Sequence, residues 1–234
     1  MSTFESFPAT FARATRSPVY TGGMEPSLAA LDHLVYATTD VEASVAHLAA
    51  LLGVTAAAGG RHPGWGTRNA LLSLGTGMYL EIVGPDPEGI PPAGPRPFLI
   101  DGLAAPRLVT WACRGGNLAE IVRTAARGAV DLGEVQSRSR QRPDGSTLAW
   151  TMTDPLADRA GGIVPFFIDW GVSPHPSAGA PAGCRLLGVR ASHPDPAGVS
   201  AVLRLLGLEI AVEKAPSPGL VARLATPRGE VELW

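Results

Sequence analysis

The sequence predicts an α+β fold built from repeated strand–helix–strand–strand–strand (βαβββ) modules, three of them. Three observations carry this. An apolar strand, a capped helix closed by glycine and then short strands joined by tight turns occur three times along 234 residues. Short phrases recur at matching places: Leu51-Leu52-Gly53-Val54 answers to Leu205-Leu206-Gly207-Leu208, and Leu80-Glu81-Ile82 to Val231-Glu232-Leu233. A repeat of roughly fifty residues marks a supersecondary unit. The three strands after each helix have short turns between them, which argues for antiparallel meanders rather than a doubly wound parallel sheet.

The elements follow in order. LDHLVYATTD is a strand whose end carries two cap residues, Thr39 and Asp40, either of which can start a helix. Val41, Val45, Leu48 and Leu52 then recur at helical spacing, and Gly53 closes the helix. VTAAAGG, NALLSLG and MYLEIVG are three strands, the last two joined at Thr76-Gly77. The second run is RLVTWACR, the helix GNLAEIVRTAARG, and the strands AVDLGEVQS, STLAWTMTD and IVPFFIDWG. After the Pro/Gly/Ala loop 173–183 comes LLGVRAS, a helix started by Asp195, then LEIAVEK, LVARLAT and GEVELW. The expected boundaries are a flexible tail over 1–27, paired modules over 28–172 and a third module over 184–234. Met24 offers a second start for translation, just before the patterned region.

Composition excludes several classes. With 45% hydrophobic and 17% charged residues the chain is globular rather than disordered. A net charge of −2 gives no basic footprint, so nucleic acid is not an expected partner. No apolar stretch reaches the length of a membrane span, and residues 1–27 lack the apolar core of a secretory signal. Cys113 and Cys184 form no CxxC pair and read as free thiols of a cytoplasmic protein. A module left over after pairing must cover a neighbouring sheet or pair across a homodimer, which exposed sheet edges favour.

The chemistry concentrates in GGRHPGWGTRNALLSLGTGMYLEIVGP, residues 59–85. Glu81 lies between Leu80 and Ile82 in an apolar strand, and a lone buried carboxylate needs a partner. An arginine such as Arg68 would satisfy it structurally. Asp32-His33 opens another apolar strand. A histidine there is a core residue bonded to a carbonyl, or it is a ligand to a metal or an organic molecule. Gly59, Gly60, Gly64 and Gly66 permit close backbone approach, and His62, Thr67, Arg68 and Asn69 offer polar contacts to a bound small molecule. The loop lacks the phosphate-binding GxxxxGK[ST] pattern. Trp65, Trp111, Trp150, Phe166, Phe167 and Trp170 supply core and aromatic walls. His47 and His175 carry no assigned role, and His193 reads as part of a helix start.

The text DHLVYATTDVEAS…LLGVTAAAGGRHPGWGTRNALLSLGTGMYLEIVGPDP resembles the glyoxalase-like domain branch of the vicinal oxygen chelate superfamily, and the resemblance continues more weakly through PFFIDWG and the third run. It implies two βαβββ modules paired into a half-open barrel of the glyoxalase/bleomycin-resistance/dioxygenase type. It also implies a divalent ion (Zn, Ni, Mn or Fe) held by His33 and Glu81. Glu81 would double as catalytic base in a lyase, isomerase or dioxygenase acting on a small oxygenated substrate. The second run departs from this pattern, with Leu108 at the place of His33 and Phe167 or Ile168 at that of Glu81, so Asp169 or Glu232 would have to complete the site. A binding or sequestering protein of the same fold without metal is the alternative.

Overall fold

The computed structural model describes residues 12–13, 30–142 and 144–234. Of the tail expected over 1–27, all but Ala12–Arg13 lies outside the described residues, as does Met24.

The first run forms β2 (Leu31–Ala37), α1 (Val41–Leu52), β3 (Ala57–His62), β4 (Thr67–Gly75) and β5 (Met78–Pro85), following a two-residue strand β1 (Ala12–Arg13). Of the two caps offered, Asp40 is the one used: its side chain accepts from the Ala43 N–H, and Gly53 closes α1 at φ +77°. The second run forms β6 (Arg107–Arg114), α2 (Leu118–Arg127), β7 (Gln136–Gln141), β8 (Thr147–Met152) and β9 (Phe166–Asp169). Its second strand begins later than AVDLGEVQS suggests. Gly133 turns the chain at φ +68°, and the polar segment QSRSRQ forms the strand instead.

These eight strands close a barrel in the order β2-β5-β4-β3-β7-β8-β9-β6. Within each module the first strand lies parallel to the fourth: His33 faces Tyr79 and Val35 faces Glu81, as Ala112 faces Phe166. The barrel is closed rather than half-open, but the seam between β3 and β7 holds a single register pair, Arg61 with Gln141. Strand alternation sets two cores. Val35, Ala37, Val83, Trp150, Phe166 and Ile168 pack inside. Leu34, Tyr36, Leu72, Leu80, Trp111 and Phe167 point outward against helices and a second sheet.

That second sheet comes from the third run: β10 (Arg185–His193), α3 (Pro196–Leu205), β11 (Ala211–Lys214), β12 (Gly219–Thr226) and β13 (Gly229–Leu233). Its order is β1-β13-β12-β10-β11, which differs from the pairing order within the barrel modules. The element sequence is the same, but β10 pairs parallel to β11 and antiparallel to β12, where the barrel modules pair first strand with fourth. The barrel strands β4 and β5 are covered on both faces, whereas β12 alternates buried and half-buried positions and has one face to hide. That face joins the outer core through Leu186, Val189, Leu220, Leu224, Val231 and Leu233. The odd run therefore covers a neighbouring sheet. Cys113 and Cys184 are free and buried. Among the described residues no helix is long and apolar enough to cross a membrane.

Candidate functional site

The inward face of the first module is polar. β2 brings His33, β5 brings Tyr79 and Glu81, β4 brings Thr67 and Asn69, and His62 ends β3. From the second module β7 adds Arg140, and Trp150, Met152, Phe166 and Ile168 form an apolar wall with Trp170 and Trp65. The enclosed space is about 30 Å³, room for a water or two. A second cavity of about 120 Å³ adjoins it behind His62, Trp65 and Trp150. Phe98 reaches the barrel cavity from the segment between modules and takes φ +62°, strained backbone for an aromatic residue.

A line of polar groups runs across the site. Asp32 is fully buried and accepts three hydrogen bonds: from His33 Nδ1 at 2.7 Å, His175 Nε2 at 3.0 Å and the Trp170 indole N–H at 3.1 Å. Burial alone would raise its pKa, but the bonds from His175 and His33 outweigh that and hold the carboxyl well below the usual range. The His175 tautomer follows from its other nitrogen, which accepts from the Ser177 backbone N–H. The bond to Asp32 is made by His33 Nδ1, leaving Nε2 toward Glu81 Oε2 at 3.8 Å. Glu81 Oε1 accepts from Asn69 Nδ2 at 2.5 Å. Tyr79 stacks on His33 with centroids 4.5 Å apart. Burial first, and then the charges of Asp32 and Glu81, push its phenol well above its ordinary pKa, so its O–H stays on. His62, bonded through Nδ1 to Thr67 Oγ1 at 3.0 Å, is driven by burial down to about 4 and stays neutral.

His33, Glu81, His62, Thr67 and Asn69 line one cavity. Arg68 does not: its guanidinium pairs with Glu42 on α1, so it neither lines this cavity nor satisfies Glu81. Asn69 is the partner Glu81 needed. Gly59 and Gly60 lie within β3, and a Cβ on Gly59 would sit 2.3 Å from Asn69 Oδ1, so the glycine makes room for that side chain. Trp65, Trp150, Phe166 and Trp170 wall the cavity, while Trp111 and Phe167 face the outer core. His193 serves the start of α3 by accepting from the Asp195 N–H. Nothing in the sequence singled out Arg140, Tyr79 or His175.

A divalent ion at His33 and Glu81 does not fit the donors present. A catalytic zinc site uses three protein ligands, and among the described residues no group of three His, Cys, Asp or Glu could hold a metal. Helix caps and strand register correct the second-module counterparts. His33 lies seven residues before the cap Asp40, and Thr110 seven before the cap Asn117. Phe166, facing Ala112 as Glu81 faces Val35, stands in place of Glu81. The Thr110 hydroxyl is already bonded to the Gly162 carbonyl, and Phe166 is apolar. Asp169 binds the Gly171 N–H at the end of β9, and Glu232 pairs with Arg190 in the second sheet, so neither completes the set. The cation of Arg140 occupies the same cavity.

Two βαβββ modules closed around a polar cavity define a protein of the vicinal oxygen chelate superfamily. Within it the chain belongs to the Glyoxalase-like domain family, which matches residues 31–207. Among solved structures, a hypothetical protein from Staphylococcus aureus is 12% identical, with 81% of this chain and 87% of that one covered and a TM-score of 0.56. Methylmalonyl-CoA epimerase from Mycobacterium tuberculosis is 20% identical over 59% of this chain and 86% of its own, with a TM-score of 0.39. A methylmalonyl-CoA epimerase in complex with methylmalonyl-CoA and an ammonium ion is 17% identical, with 62% and 98% covered and a TM-score of 0.40. At these identities the likeness concerns the fold. No curated protein matches the chain.

Proposed function

We propose that the barrel binds a small oxygenated compound and that Glu81 moves a proton on it without a metal, in an isomerase- or lyase-type reaction. The observation that carries this is the buried line Asp32–His33–Glu81–Asn69 at a cavity walled by aromatic side chains. In the simplest step, the Glu81 carboxylate takes a proton from carbon next to a carbonyl. In an α-hydroxy carbonyl compound the C–H electron pair becomes the C=C bond of an enediolate while the carbonyl π pair moves onto oxygen. Passage of the hydroxyl proton to that oxygen and return of the carbon-bound proton to the former carbonyl carbon complete an isomerisation. Asn69 fixes one Glu81 oxygen, and Tyr79, kept protonated, is a neutral donor for the new oxyanion.

Hydroxyacetone and dihydroxyacetone in D2O test this, with C–H exchange followed by proton NMR. The expected result is exchange above buffer that survives EDTA and falls about 10²–10⁴-fold in Glu81→Gln. Loss of exchange with EDTA, restored by Mn or Ni, would return the metal to the site. The tryptophan-rich wall and the small cavity favour a second reading, a non-catalytic binding protein. No exchange, together with saturable quenching of tryptophan fluorescence by the same compounds, is its signature.

A further inference from the structure

β7 reads Gln-Ser-Arg-Ser-Arg-Gln, which puts Arg138 and Arg140 two residues apart on one face of the strand. Arg140 is only 5% exposed and lines the barrel cavity beside His62, Asn69 and Glu81. Its Nη1 has no hydrogen-bond partner, and no ion pair among the described residues includes it. Glu81 is committed to Asn69 on one oxygen and turns the other toward His33. Glu81 acts on Arg140 electrostatically from the same cavity, but among the described residues no carboxylate bonds it directly, and a buried guanidinium with an unbonded nitrogen is costly. Arg138 is half-buried one step nearer the surface. Its Nε also lacks a partner, and its guanidinium lies over the Trp65 ring at 5.3 Å. It lines the adjoining cavity, which shares His62, Trp65 and Trp150 with the barrel.

We infer that the barrel's ligand carries a carboxylate, received by Arg140 inside and drawn in past Arg138 and Trp65. This rests on the barrel being the ligand site and adds the ligand's charge to it. The planar guanidinium fork matches a carboxylate in two parallel bonds. Arg140 offers one charge, while Glu81 already supplies negative charge in the same cavity, so a monoanion fits better than a phosphate dianion. The cavity at rest holds a water or two, so it favours a short acid, which still needs the barrel to open, with Arg140 and Glu81 lining the same space.

The experiment titrates the protein with acetate, pyruvate, lactate and 2-oxobutanoate, each beside its methyl ester, and with inorganic phosphate. Tryptophan fluorescence reports binding, because Trp65, Trp150 and Trp170 line the site. The expected result is saturable binding of at least one acid, about tenfold or more tighter than its ester. Arg140→Met should abolish that preference, and Arg140→Lys should keep part of it. Should Arg140→Met not fold, the acid–ester comparison and Arg140→Lys decide. The inference is overturned if no acid binds, if acid and ester bind alike, if phosphate binds tighter than every acid, or if the preference survives in Arg140→Met. Acid preference without proton exchange removes the catalytic reading and keeps this one. Exchange on neutral ketones without acid preference does the reverse.

Discussion

His62 is held neutral in the barrel wall, and this sets a pH dependence. Its native pKa, lowered by burial to about 4, lies below the ordinary value of 6.5. Between those pH values the unfolded chain takes up a proton that the native state does not. Stability is therefore complete above about pH 6.5 and falls as the pH drops toward 4, by about 3 kcal/mol if the whole shift is expressed. Asp32, whose pKa is lowered by its hydrogen bonds, adds a second fall only below its unfolded value of 3.8. Urea unfolding at pH 7, 5.5 and 4.5 should show the first loss in the wild type and a flatter profile in His62→Gln; equal slopes would contradict it. Glu81 was legible in the sequence because a charge between Leu80 and Ile82 has to be answered by something. His33 was legible for the same reason. Arg140 was not, because arginine in a polar run reads as a solvated face, and only the fold shows that face turned inward.

The same contrast holds for elements. β2, α1, β4 and β5 stand out because their apolar residues repeat at strand or helix period and their ends carry Asp40 and Gly53. β7 has no apolar alternation at all. It is a strand because β8 pairs with it along its whole length, from Gln136–Met152 to Gln141–Thr147. Tertiary pairing overrides weak local preference here. β3 depends on glycine in a different way. Gly60 sits at φ +151°, and a Cβ there would meet the Gln141 carbonyl at 2.4 Å and Arg140 Nη1 at 2.6 Å. Gly60→Ala should cost about 1–3 kcal/mol. Gly116→Ala, where a Cβ would meet nothing within 4 Å, serves as the control. Similar losses in both would show that steric closeness at β3 is not the cause.

At the scale of the molecule, barrel and second sheet share one apolar core, to which Leu72 and Leu80 contribute from the barrel and Leu186 and Leu224 from the sheet. Their unfolding should then be a single event. Leu224→Ala, at a fully buried position, should cost about 2–5 kcal/mol and lower the barrel's fluorescence transition together with the circular-dichroism transition. Two separate transitions would show that the sheet is only an appendage. The repeat of element order was visible in the sequence, but the pairing order of the third run was not, because strand neighbours depend on which faces need covering. The seam between β3 and β7 has a kinetic consequence. Every other joint of the barrel is a ladder of at least two register pairs, and this one is a single rung. A ligand too large for the cavity at rest has to wait for a wall to part, and the wall most prone to part is this one. Backbone amides beside Arg61 and Gln141 should therefore exchange with deuterium sooner than those of β4 and slow when ligand is bound. The observed binding rate should level off as ligand concentration rises, because past that point the clock is the barrel's own opening rather than diffusion.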